Sequence, residues 1–330
     1  MVLVCRNWLL FLAIYIVAKV GFSSANVFYD AMLPEVTTEE RMDKVSSAGY
    51  AYGYIGSCIP FVICLALALC YKMIGISFFT AMIIALSLTG AWWIICSLPL
   101  LKRYKQTAFI ERRKNPIGET FAELGSTIKH AVKHPNIGLY IIAFFFFING
   151  VYTIIDMATA YGTSLGLDST GLLLALLVTQ IVAFPCAIIF GRLASKVRPG
   201  KLMKICILSY TGIVLFAVFL VSQWQFWLLA VLVGMFQGAI QALSRSYLAK
   251  IIPAERSGAY FGLMDICGKG ATFLGALLIG VINQATIGLE IPAIFGLQLQ
   301  NQNLAVSSLL ILFIIGYVIF CKADKLNNKE

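Results

Sequence analysis

The stretch IGLYIIAFFFFINGVYTIIDMATAY, residues 137–161, holds one charged side chain, Asp156, in 25 positions. At a rise of about 1.5 Å per residue it is long enough to cross a hydrocarbon core of about 30 Å. Eight further runs of the same kind surround it, at 7–29, 50–71, 74–101, 170–191, 201–222, 224–249, 257–284 and 303–321. The expected fold is therefore all-α: a polytopic helical membrane protein of about nine transmembrane helices. A transmembrane barrel needs alternating strands of about 10 residues, and no such alternation occurs.

Composition agrees. Apolar residues make up 60% of the 330 and charged residues 12%, with a mean hydropathy of +0.88, against about 25% charged in a soluble domain. Arg6 precedes the first apolar run, but no small-residue cleavage site follows, so the start is not a signal peptide. The nine cysteines are scattered without a CxxC and read as small packing residues rather than as disulfides or metal ligands.

The basic residues sort by loop. The segments around 30–49, 102–136, 192–204, 245–256 and 322–330 carry 21 of the 25 Lys and Arg residues. The alternate loops carry only Arg6 and Lys72, and Lys19 and Lys269 lie inside spans. Basic loops stay in the cytoplasm, which places the C-terminus inside and Met1 outside. In a bacterium the membrane is the inner one. The net charge of +10 follows from this sorting and calls for no nucleic-acid partner.

The longest polar segment, 102–136, divides the chain into 1–101, an incomplete bundle of three helices, and 137–330, a bundle of six. Within the divider, Phe121, Leu124, Ile128, Ala131 and Val132 recur at helical spacing, with Glu119, Glu123, Lys129 and Lys133 elsewhere. That is an amphipathic helix lying on the cytoplasmic face, started by Asn115-Pro116. His130 and His134 are four apart but lack a third ligand, so they read as part of a solvated basic face and no metal is expected.

Polar residues inside spans are costly and mark candidate sites. Asn149, Thr153 and Asp156 share one helix face. Gln180 precedes Pro185, a candidate kink and gating point. Gln237, Gln241, Ser244 and Arg245 form a stripe, Arg245 near enough to the helix end to snorkel. Asp265 and Lys269 are spaced to neutralise each other; alternatively Lys269 reaches Asp156 across the bundle. Either pairing serves charge coupling or is a structural salt bridge without substrate contact. Lys19, with no acid in its own span, is a proton or substrate-carboxylate contact or an interhelical one. Asn149, Asp156, Gln180, Gln237 and Gln241 are thus the expected substrate-cavity set, and Lys19, Asp156, Asp265 and Lys269 the charge-coupling set.

Residues 191–201, GRLASKVRPGK, join two spans. Glycine, as at Gly191, lets the loop turn tightly, while Arg192, Lys196 and Arg198 hold it at the inner surface as a gating loop. The loop resembles the G-x-x-x-D-[RK]-x-G-[RK]-[RK] loop of the major facilitator superfamily, with Ser195 where that pattern has an acid. In the superfamily that acid pairs with neighbouring helices and steadies one face of the cycle, a contact that Ser195 does not supply. A closer resemblance is to the branch of that superfamily similar to the autophagy-related vacuolar effluxer Atg22 and its bacterial relatives. It rests on NVFYDAMLPE (26–35), SSAGYAYGYIG (46–56), TQIVAFP (179–185), GRLA (191–194), QGAIQALSRS (237–246) and GLMDICGK (262–269). The resemblance implies twelve spans with both ends cytoplasmic, so this chain corresponds to spans four to twelve. Met1 is then a misassigned start, the start of a frameshifted product, or that of a genuine short form.

The resemblance implies a secondary transporter of small solutes working by alternating access, with export and ion coupling, protons foremost, and amino acids as a substrate class. No cofactor is expected. No Walker motif, HExxH or GxSxG occurs, so neither ATP coupling nor an enzyme is expected. The alternative is a truncated, transport-inactive fragment that needs a dimer partner or a missing N-terminal segment.

Overall fold

The computed structural model describes residues 8–106, 116–269, 272–287 and 300–328. These fold into helices α1 (Trp8–Ala31), α2 (Leu33–Val36), α3 (Met42–Cys70), α4 (Phe78–Arg103), α5 (Pro116–Lys133), α6 (Pro135–Ser164), α7 (Ser169–Leu193), α8 (Pro199–Val218), α9 (Gln223–Ile251), α10 (Ser257–Lys269), α11 (Thr272–Ala285), α12 (Asn301–Ser307) and α13 (Leu309–Asn327). Among the described residues, nine stretches are long and apolar enough to span a membrane. The α10–α11 pair makes up one of them, and α12–α13 another.

Helix ends follow local chemistry. Pro34, Pro135 and Pro199 sit in the first turns of α2, α6 and α8, where a missing N–H costs nothing. Ser77 Oγ accepts from Thr80 N at 3.1 Å to open α4, and Asp168 Oδ2 accepts from Gly171 N at 2.6 Å to open α7. Gly75 and Gly166 turn the chain at φ of 76° and 77°, a conformation that favours glycine.

Of the boundaries that depart from expectation, three have a visible local cause. α3 starts at Met42, not near 50, because Asp43, Ser46 and Ser47 are polar yet buried in a helix; an apolar window misses such an end. α8 stops at Val218, not 222. There Gln225 Oε1 accepts from Val221 N and Ser222 N, at 2.8 and 3.0 Å, and starts α9. The last span begins at Asn301 and breaks near Ser308. Buried Asn303 donates there to the Tyr161 hydroxyl and the Leu220 carbonyl, both at 2.9 Å.

The core lies among α6–α13. α7 packs on α9 and α6 on α13, and the contacts are made by missing side chains. A Cβ on Gly316 would fall 2.9 Å from Phe147 N, one on Gly234 2.7 Å from the Thr179 carbonyl, and one on Gly150 2.7 Å from the Phe313 ring. Small residues let helix backbones approach where no water is present to drive association. Around these contacts Tyr140, Phe144, Phe147, Tyr247 and Phe320 form an aromatic cluster. The Tyr140 hydroxyl donates to the Ser244 carbonyl at 2.7 Å.

α5 is helical as expected, but its apolar residues divide. Ala131 and Thr127 are buried and Leu124 half-buried, while Phe121, Ile128 and Val132 are exposed. The helix docks by one edge on α6 and α10. His130 belongs to the docked edge rather than to a solvated face: its Nδ1 lies 2.6 Å from the Tyr260 hydroxyl. Its ring centroid is 4.3 Å from that of His134.

Candidate functional site

A narrow cavity of about 30 Å³ opens where α1, α3, α6, α9 and α10 converge. Its polar lining is Asp30 from α1, Tyr50 from α3, Tyr152 from α6, Gln241 and Arg245 from α9, and Asp265 and Lys269 from α10. Arg245 dominates it. The side chain is 5% exposed, and its Nη1 donates to Asp30 Oδ1 at 3.0 Å. The guanidinium lies 4.9 Å from the Tyr29 ring centroid and 5.7 Å from that of Tyr50. A planar, weakly hydrated cation suits such a sandwich, where an ammonium would not. Gly49 makes room for it, since a Cβ there would fall 2.6 Å from the Tyr29 hydroxyl oxygen. Arg245 Nε finds no partner among the described residues, which leaves one charged donor for a ligand.

The second pair is Lys269 Nζ–Asp265 Oδ1 at 2.5 Å, one turn apart on α10. Both side chains are partly exposed, at 36% and 22%. Asp265 also borders a groove of about 300 Å³ between α1 and α10, with Lys19, Ser23 and Ser24 along its α1 wall. Asp156 is exposed on α6. Lys269 pairs with Asp265 on its own helix.

The expected cavity residues separate. Gln241 lines the cavity. Gln237 is buried one turn earlier and hydrogen-bonds the Tyr54 hydroxyl. Asn149 is fully buried in α6, and its carbonyl accepts from Thr153 Oγ1 at 2.7 Å. Gln180 is half-buried on α7, outside the cavity lining. α7 runs through Pro185 as one helix. In the last turn of α7, Gly191 is buried on α3, where a Cβ would fall 2.5 Å from Ser47 Cβ. Arg192, Lys196 and Arg198 are exposed. Ser195 Oγ donates to the Arg192 carbonyl at 2.6 Å.

Sequence reasoning missed Asp30 and Tyr29, which end an apolar span and resemble loop residues. It also misplaced Arg245, which is buried rather than snorkelling. The available signal was an acid and an arginine at the ends of two spans on the same, basic face. At that face lie two further pairs, Asp43 Oδ2–Lys250 Nζ between α3 and α9 and Asp324 Oδ2–Lys204 Nζ between α13 and α8, each at 2.5 Å.

Residues 35–322 match the family model described as vacuole effluxer Atg22 like. The chain is 41% identical over 316 residues to an uncharacterized MFS-type transporter, YxiO, of Bacillus subtilis strain 168, covering 95% of this chain and 71% of that protein. It is 26% identical over 223 residues to autophagy-related protein 22 of Eremothecium gossypii, covering 62% of this chain and 44% of the relative. To autophagy-related protein 22 of Kluyveromyces lactis it is 23% identical over 304 residues, covering 82% and 61%. The chain thus spans less than two thirds of these fungal relatives.

Proposed function

The chain belongs to the Atg22-like vacuole effluxer family of major facilitator-type membrane transporters, and from that membership we propose a secondary transporter that exports small zwitterionic solutes, amino acids foremost, by alternating access. The observation that carries the substrate class is the cavity itself, where Asp30–Arg245 and Asp265–Lys269 face one space. The unmet Nε of Arg245 and the ammonium of Lys269 suit a substrate carboxylate, and Asp265 suits its ammonium group. Gln241 adds an orienting amide. Proton coupling falls to the partly exposed Asp265–Lys269 pair, because a guanidinium does not release its proton at physiological pH.

In this reading the division at α5 is functional. α1, α3 and α4 belong to one half of the carrier, α6–α13 to the other, and the cavity lies between them, toward the basic face. The basic face, with the C-terminus, is cytoplasmic. The test is efflux of a labelled amino-acid mixture from proteoliposomes, with and without an inward proton gradient. Gradient-dependent efflux that Asp265→Asn abolishes while the protein stays monodisperse supports the reading. Equal efflux from empty liposomes rejects it.

A second reading has its own observation: no side chain of α1 is buried. The chain would then be a transport-inactive fragment that acts only with a second copy or a missing N-terminal segment. Size-exclusion chromatography with light scattering, run alongside the efflux assay, separates the two.

A further inference from the structure

The two sets of spans meet at the basic face. On α3, burial is concentrated in the first turns, at Met42, Asp43, Ser46, Ser47 and Ala51, while Val62, Ile63 and Leu69 near the other end are exposed. The contact is polar and close. Ser46 Oγ donates to the Ala242 carbonyl of α9 at 2.8 Å. Ser47 packs on Gly191 of α7, at the head of the basic loop. Asp43, 4% exposed, takes Lys250 of α9 at 2.5 Å. Lys250 lies five residues beyond Arg245, about 7.5 Å along the helix, so this seam lies between the cavity lining and the basic end of α9.

Asp43 is held with only half of its bonding met. Oδ2 has Lys250, but Oδ1 makes no hydrogen bond among the described residues, and neither does the neighbouring Ser47 Oγ. A buried acceptor left unsatisfied is unfavourable, and separating α3 from α9 lets water reach it. The ion pair favours closure and the orphaned oxygen opposes it. The loop that joins α7 and α8 brings no carboxylate to this seam: Ser195 is exposed and turned to its own backbone.

We propose that Asp43 is the positioning carboxylate of a latch on the basic face. Its pairing with Lys250 holds the cavity shut toward that face, and its unmet oxygen keeps the closure reversible. This rests on the alternating-access reading. Asp324–Lys204 is the internal comparison, because it joins two helices of the same set and spans no seam.

The test is sided thiol labelling. Gln241→Cys, in a chain whose nine native cysteines are replaced, puts one thiol on the cavity wall. A membrane-impermeant maleimide is then applied to sealed vesicles with the basic face outward. Asp43→Asn, and separately Lys250→Gln, should raise the labelling rate on the order of tenfold, the effect of about 1.4 kcal/mol. The exchange Asp43→Lys with Lys250→Asp should return it toward the parent, and Asp324→Asn should leave it there. Equal rates for the parent and both single variants overturn the latch alone, as does an exchange variant that labels like the singles. A thiol unreachable from that face in every variant overturns both the latch and alternating access. The exchange and Lys250→Gln keep the question open to measurement if Asp43→Asn does not fold.

Discussion

In the most apolar windows of the first three spans, 0%, 11% and 11% of residues are buried, whereas in α6 and α9 the share is 61% each. All of them pass as membrane spans, so apolarity does not separate the groups. Packing detail does. In the second group Gly150, Gly234, Gly238 and Gly316 sit where a Cβ would collide with a neighbour; in the first, Gly21, Gly53, Gly56 and Gly90 have open space around them, and Gly49, beside the Arg245 site, is the crowded one. Hydrocarbon length puts a helix in the bilayer, and small residues with satisfied polar groups decide what it packs against. Where the first group touches the second at Asp30 and in the first turns of α3, the contacts include ion pairs and hydrogen bonds.

The largest test of that contrast removes the ionic tie. Arg245→Leu leaves Asp30 facing the cavity without its guanidinium, and breaking such a pair costs about 3–5 kcal/mol. Thermal unfolding in detergent should shift strongly downward, and efflux should vanish. Arg245→Lys should keep the fold and lose most of the transport, since it keeps the charge but not the planar donor set. A melting curve for Arg245→Leu that overlays the parent would mean the tie carries nothing.

Steric probes come next. Gly316→Leu overpacks the α6–α13 contact and should cost about 1–3 kcal/mol, whereas Gly56→Leu, with open space, should stay within about 0.5 kcal/mol. Equal losses would mean the two groups are packed alike. Asn303→Ala removes two buried hydrogen bonds at the α12 end and leaves the Leu220 carbonyl unmet, at about 1–3 kcal/mol, again read by thermal unfolding.

The smallest expected effect is at α5. Burial holds the His130 imidazole below its ordinary pKa of 6.5, and His134, Arg256 and Lys133 push it the same way. A base whose folded pKa is depressed binds more protons when unfolded, so its contribution is intact above pH 6.5 and falls as the pH drops below it. Limited proteolysis of α5 should quicken slightly between pH 7.5 and pH 5.5, and His130→Phe should flatten that change. A parent chain cleaved at the same rate at both values would remove His130 from the docking of α5.

The same physics explains what was legible beforehand. Nine spans, the basic face, the α5 helix and the Asp265–Lys269 spacing all rest on periodicities within one segment. Asp30–Arg245 joins residues 215 apart, and Asp43–Lys250 residues 207 apart; such pairings leave no local period. Asp43, Ser46 and Ser47 looked like loop because buried polar side chains at a helix end lower local hydropathy. Gln237 looked like a cavity residue for the converse reason: a polar group inside a span can be satisfied by a neighbouring helix, here through Tyr54 of α3, rather than by solute.

The cavity wall has one more consequence. Among the described residues its two carboxylates, one guanidinium and one ammonium sum to zero charge. Moving a single charge through a potential of 100 mV is worth about 2.3 kcal/mol. On the proposed alternating-access reading, a wall neutralised in place adds no such term of its own when the empty protein changes sides.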